Sequence, residues 1–359
     1  MTKRLFWLNG IAILAVVLNH AVGWSFTAMF WWTDQYRAVS VPNFDAVGSP
    51  TYYFLVVLKQ LTPIAVPIFL VVSGYFIGFA SRAGLNWKMI WARIRGILIP
   101  YLVWSVVTMA LDMALGEQIS PSKFFLNLLL GDAAQVYYYV PVICQLFALS
   151  PLLVPLLRSP NWKKVLAAAA LLQAVMLSAN YLDIFGVMTV DVDWFFGNLV
   201  FFFVFGVALN FHLEEIRAWL QRTRWFWVAA LILFTLATLV ETEVYFRLDM
   251  GDWRGGVETW AATFFTVSFL MVFIVFDRIN VPYAALLGKI GQKSYGIYLM
   301  HPIVLMVTAK LVYHLAPAVL AWQWLFLPLM VVVGVAVPAL MMRVVSRTPL
   351  RKEYHILFG

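Results

Sequence analysis

Residues 5–26, LFWLNGIAILAVVLNHAVGWSF, decide the fold. The run is apolar almost throughout and long enough to cross a bilayer as one helix. Near its far end it carries an ionisable side chain, His20, which is costly inside hydrocarbon and therefore reads first as functional. His20 lies 15 residues into the run, roughly 22 Å from its start at ~1.5 Å per residue, in the distal third of a core about 30 Å thick. The alternative is a neutral histidine hydrogen-bonded to a backbone carbonyl near the interface. The run by itself leaves the two readings even.

Composition extends the pattern to the whole chain. Hydrophobic residues make up 63% of the 359 and charged residues 12%, with a mean hydropathy of +0.86. Soluble domains carry about 25% charge, so this composition describes a polytopic membrane protein. No small-residue cleavage site follows the first run, which is therefore expected to stay as helix one. The single cysteine, Cys144, excludes an internal disulfide.

Apolar runs at 5–26, 53–79, 95–115, 136–157, 164–182, 194–211, 225–240, 257–276, 295–314 and 322–345 predict an all-α bundle of about ten transmembrane helices. If the N-terminus is cytoplasmic, only Arg37, Lys59, Lys123, Arg247, Arg254 and Lys310 fall outside, and the other 19 of 25 basic residues fall inside. That asymmetry places both termini in the cytoplasm. It also explains the net charge of +8 as topogenic and removes nucleic acid as a partner. Tryptophans gather near run ends, as an interfacial belt does, and an outer minority could stack on sugar rings. Residues 124–130 are too short to span and are expected at the outer interface. No repeat or linker divides the chain, so residues 1–359 read as one membrane domain, in the inner (plasma) membrane, without an appended soluble domain.

The second run holds Lys59 and Gln60, then Thr62-Pro63, then PIFLVVSGY (67–75). Its prolines predict a kinked or broken helix, tolerated where protein or water satisfies the released carbonyls. Lys59 stands at about the depth of His20, either snorkelling its ammonium outward or facing a cavity beside that histidine. Ser73-Gly74-Tyr75 closes the run at its inner end. WARIRGILIPY (91–101) is placed in the next inner loop, with Arg93 and Arg95 separated by one residue. Two guanidiniums at this spacing can grip phosphates bidentately, although positive-inside charge would also account for them. The ninth run opens SYGIYLMHP (294–302), with Tyr298 near the inner face. His301 follows about two turns in, and a His-Pro pair inside a span again reads as functional first.

In order, these are a histidine ending helix one, PIFLVVSGY, Arg-x-Arg followed by Pro100-Tyr101, YYYVPVICQLFALSPLL (137–153) and SYGIYLMHP. Together they resemble the membrane-bound acyltransferase family 3, whose members O-acylate surface glycans, lipid carriers and some antibiotics. The resemblance runs from Leu5 to about Arg351. It implies His20 as catalytic base, Arg93 and Arg95 as contacts for acyl-CoA, and Ser73-Gly74-Tyr75 as part of the site's lining. Tyr101, Tyr298 and His301, near the inner face, are grouped on the donor side. Asn9, Lys59, Trp24 and Glu258 are grouped as candidate acceptor contacts. The family usually has arginine or lysine eleven residues before the histidine; here that position is Asn9, still on the face of His20 because eleven residues are close to three turns. Near the C-terminal end Arg347 stands where many sugar acylases of the family have glutamate, as in stand-alone surface-polysaccharide O-acetyltransferases.

The implied reaction moves an acyl group, expected to be acetyl, from cytosolic acyl-CoA to a hydroxyl of a carbohydrate or lipid-linked acceptor. No metal is implied. The donor's phosphates would dock at the inner face, its pantetheine arm reaching into the bundle, and His20 would take the acceptor's proton. Two rivals remain. A glycan or small-molecule exporter would also use a broken span two and intramembrane charges, and a structural subunit would make both histidines incidental.

Overall fold

The computed structural model describes residues 2–37, 46–84, 86–187, 189, 193–247, 259–279 and 281–359. Among these residues the regular structure is helical throughout. In chain order the α-helices are α1 (Thr2–Phe30), α2 (Pro50–Gln60), α3 (Ala65–Ala80), α4 (Trp87–Ala114), α5 (Pro121–Leu130), α6 (Tyr139–Arg158), α7 (Trp162–Ile184) and α8 (Val200–Phe211). They continue with α9 (Leu213–Arg222), α10 (Arg224–Arg247), α11 (Trp260–Val275), α12 (Ala284–Gln292), α13 (Ser294–Leu315), α14 (Gln323–Val345) and α15 (Tyr354–Phe358). The chain forms two units, Met1–Thr62 with Ala285–Gly359, and Pro63–Ala284.

Eight helical stretches among the described residues are long and apolar enough to cross a membrane. The runs expected at 194–211 and 257–276 are the two shorter apolar helices, α8 with 12 residues and α11 with 16. At ~1.5 Å per residue α8 is only about 18 Å long. Its residues 200 and 202–210 are all buried, so it is a helix solvated by protein. Run hydropathy does not separate that case from a lipid-facing span.

In the first unit α1 packs on α2, α13 and α14. Glycines set the closest approaches: a Cβ on Gly10 would stand 2.2 Å from the Leu287 carbonyl oxygen, and one on Gly291 would stand 2.0 Å from that of Phe6. A Cβ on Gly334 would instead crowd the side chains of Val17 and Leu305, at 2.7 and 2.9 Å. Without a hydrophobic force between helices in lipid, such small-residue contacts let backbones touch and supply dispersion energy.

In the second unit α3 and α8 cross at Gly74 and Gly206, where an added Cβ would lie 2.1 Å from the carbonyls of Phe203 and Val71. Polar ties join further helices. Gln145 Nε2 donates to the Trp194 carbonyl at 2.7 Å, and Tyr181, hydrogen-bonded to Glu241, accepts from the Trp260 N–H at 3.1 Å.

The second run is broken as expected. Helix α2 ends at Gln60 and α3 begins at Ala65, because Pro63 lacks an N–H and biases Thr62 away from helical geometry. The expectation of an inner loop around Arg93 and Arg95 is overturned. Asn86 caps the N-terminus of α4 by accepting from the Met89 N–H at 2.9 Å, and the helix then runs unbroken through both arginines. Residues 124–130 do form a short helix, α5, capped by the Ser120 hydroxyl and ended by Gly131 in the left-handed region (φ 92°).

Candidate active site

The first unit brings His20 and His301 together, their ring centroids 5.4 Å apart and planes inclined at 50°. From sequence the two were expected at different depths, His301 nearer the donor side, and that expectation is overturned. Helix α12 lies against the first turns of α1 through Gly10 and Gly291. Helix α13 packs along α1, and its seventh residue beyond Ser294 meets His20.

The His-Pro dipeptide has a local logic. Pro302 lacks the N–H that would bond the carbonyl four residues back, that of Tyr298. His301 Nδ1 takes this acceptor at 2.8 Å and also approaches the Ile297 carbonyl at 3.2 Å. A carbonyl only accepts, so Nδ1 carries the hydrogen and the neutral ring presents its lone pair at Nε2. His301 is 0% exposed, and its Nε2 is buried without a hydrogen-bond partner. A buried acceptor left open in this way costs about 1–3 kcal/mol, which suits a site that holds a polar ligand in its working state.

Other candidate side chains of the unit are spread along α1, α2 and α13. Tyr298 is buried and its ring centroid lies 6.2 Å from that of His301. Asn19 Oδ1, next to His20 in sequence, accepts from Thr62 Oγ1 at 3.0 Å and so ties α1 to the break after α2. Lys59 is half-buried with its ammonium 5.8 Å from the centre of the Phe26 ring, and its charge couples to His20. Trp24, one turn beyond His20 on the same face, packs on Trp32 at 5.5 Å, and Trp32 packs on Tyr313 at 4.8 Å. Asn9 also shares that face, and its Oδ1 is buried without a hydrogen-bond partner. Glu258 lies outside the described residues.

The second unit holds the remaining candidates, and it does not bring them together. Arg93 and Arg95 stand two residues apart on α4 and face different sides, so they cannot form one bidentate clamp. Arg93 is half-buried and Arg95 exposed. Tyr101 is buried, with its hydroxyl donating to the Leu128 carbonyl at 2.8 Å, so it pins α5 to α4. Ser73 is hydrogen-bonded to Tyr139 on α6, and Tyr75 is buried with its ring edge against Phe76. Sequence reasoning passed over Asn19 and the Tyr298 carbonyl. The signal for the second was present, since a proline always releases the carbonyl four residues before it.

Curated proteins similar to this chain include the probable poly-beta-1,6-N-acetyl-D-glucosamine export proteins of Staphylococcus aureus strains MSSA476, MRSA252 and MW2. Each is 24% identical over 269 residues, which is 69% of this chain and 71% of the relative. No solved structure matches. Residues 4–343 match the acyltransferase 3 family, described as an acyltransferase domain. The order of motifs, the paired histidines and this near full-length match converge: the chain is a multi-pass membrane protein that belongs to the acyltransferase 3 family.

Proposed function

We propose that this protein is a membrane O-acyltransferase that moves an acyl group, taken to be acetyl, from acyl-CoA to a hydroxyl of a glycan or glycolipid. The observation that carries the reading is the His20–His301 pair, two imidazoles in contact with one lone pair held open and buried. In the reaction His20 accepts the acceptor's hydroxyl proton. The oxygen attacks the thioester carbonyl, the C–S bond breaks, and the CoA thiolate leaves and takes up a proton. The buried Nε2 of His301 offers the charged intermediate a hydrogen-bond acceptor at the moment His20 holds the extra proton. Donor phosphates are met by basic residues at the ends of the helices, with Arg93 among them, both termini and those ends lying in the cytosol of a plasma-membrane protein. Tyr75 and Ser73 belong to the donor side; Trp24, Lys59 and Asn9 to the acceptor side. The family match and the carbohydrate in the relatives' names support a carbohydrate acceptor.

The test is incorporation of radiolabel from [acetyl-¹⁴C]CoA into the glycan fraction of membranes carrying the wild-type chain or His20→Gln. Glutamine keeps a hydrogen bond and much of the volume but is no base at neutral pH. Loss of incorporation with unchanged expression and melting supports the reading; near-normal incorporation refutes it. The relatives' description as export proteins favours a second reading, transport without acyl transfer. An exporter predicts no thermal stabilisation by acetyl-CoA and no label transferred in either form.

A further inference from the structure

The turn Ser81–Ala83, which follows α3, and the C-terminal half of α6 enclose a cleft of about 630 Å³ in the second unit. Its lining includes Ser81, Arg82, Pro151, Pro155, Arg158 and Ser159, and contains no acidic residue. Both arginines are fixed by neutral partners. Arg82 donates through Nε to Asn210 Oδ1 at 3.1 Å and through Nη2 to the Asn210 carbonyl at 2.9 Å. Arg158 donates through Nη2 to the carbonyl and the hydroxyl of Ser81 at 3.1 and 3.2 Å, and its guanidinium lies 4.9 Å from the centre of the Phe211 ring. Asn210 and Ser81 are themselves buried.

Other cations of the unit are treated differently. Arg217 meets Asp277 at 3.0 Å and Lys163 meets Glu215 at 2.6 Å. Among the described residues neither Arg82 nor Arg158 has a carboxylate within ion-pair distance, so two positive charges share a cleft without compensation. Each guanidinium has five N–H donors and spends only some of them on its anchors, leaving the rest for a ligand. Side chains already ordered by such anchors lose little entropy on binding, and a planar guanidinium matches phosphate oxygens two at a time. The volume lies in the range of small-molecule sites, well above what a bare phosphate fills.

We propose that this cleft binds a phosphate-bearing group through Arg82 and Arg158. The group belongs either to a soluble phosphorylated ligand, such as the phosphoadenosine end of an acyl-CoA, or to a phospholipid headgroup. In the first form the proposal rests on the donor reading above; in the second it stands without it.

The full-length protein in neutral detergent is titrated with adenosine 3′,5′-bisphosphate. In parallel, retention of phosphatidylglycerol is measured by native mass spectrometry after reconstitution in nanodiscs of phosphatidylcholine and phosphatidylglycerol. Two variants are compared. Arg158→Gln removes one charge. Ser159→Asp puts a carboxylate in the cleft while keeping both arginine anchors and an acceptor for the Asn161 N–H, which Ser159 Oγ meets at 3.2 Å. Loss of charge-assisted hydrogen bonds weakens binding by about tenfold or more. Such a loss for the bisphosphate identifies a soluble ligand, and one confined to phosphatidylglycerol identifies a headgroup. Unchanged binding of both probes in Ser159→Asp, or no binding of either by the wild type, overturns the cleft. If His20→Gln meanwhile still abolishes transfer, the catalytic reading survives that failure.

Discussion

The protein holds histidines in two contrasting settings. In the second unit His212 lies flat on Trp162, rings 4.6 Å apart and inclined by 11°, with Nε2 2.8 Å from the Leu157 carbonyl. Its ring is spent on packing and on ending α6. In the first unit His301 spends one nitrogen on the carbonyl that Pro302 releases and leaves the other buried and unpartnered beside His20. His212 thus has a backbone partner for its Nε2, whereas the Nε2 of His301 is a buried acceptor that the fold itself does not use.

The largest effect should separate these settings directly. His301→Gln is expected to lower acyl transfer by ~10²-fold or more, within the range of a removed proton-transfer group, whereas His212→Gln should leave turnover near normal. Initial rates with labelled acetyl-CoA decide this, and equal rates for the two variants would erase the distinction. The contrast sharpens in the double variant His20→Gln/His301→Gln. Residues that act as a unit are not additive, so it should be little slower than His20→Gln alone. Multiplicative losses would show two independent roles.

Packing defects should appear as lost folding and not as lost chemistry. Gly74→Ala drives a Cβ to 2.1 Å from the Phe203 carbonyl oxygen and is expected to cost ~2–3 kcal/mol, as overpacking does. Gly96 has nothing within 4 Å of its Cβ position, so Gly96→Ala should be neutral or stabilising by up to ~1 kcal/mol. Melting temperatures in one detergent compare the pair.

A smaller effect tests the arginines on α4. Because they face different sides, Arg93→Ala and Arg95→Ala should alter acetyl-CoA affinity independently, with a coupling energy below about 0.5 kcal/mol. Strong coupling in calorimetric titrations would restore a joint grip. The smallest effect belongs to Glu215, whose carboxyl is held below its ordinary range by the hydrogen bond and charge of Lys163. A lowered folded value means that this contribution is present above the ordinary glutamate pKa of 4.5 and fades as pH falls through the lower folded value. Glu215→Gln should flatten that acid-side loss slightly, and 1 M salt should mimic it, since the pair is exposed. An unchanged pH profile in the variant would remove even this minor role.

How far the site was legible depends on whether a signal is local. The break after Gln60 follows from Pro63, and the charge asymmetry reads straight off the chain. The cost of His20 in an apolar run marked it before any fold was known. Arg93 and Arg95 misled because adjacency in sequence suggests adjacency in space, which a helix denies at a spacing of two. The capping side chain of Asn86 starts α4 well before the apolar run does, and hydropathy is blind to a cap. Arg82 and Arg158 looked like ordinary positive-inside charge, since their anchors Asn210 and Ser81 are distant from one or the other in sequence.

By itself, then, the sequence determined that this is an all-helical membrane protein with an expensive histidine in its first helix. Transfer energies and backbone hydrogen bonding impose those features residue by residue, whatever the packing. Only the tertiary structure decided that His301 stands beside His20, because that depends on how α13 packs against α1. It alone decided which cations are neutralised and which stay uncompensated. Both are matters of distance between residues far apart in the chain, and no local periodicity encodes them.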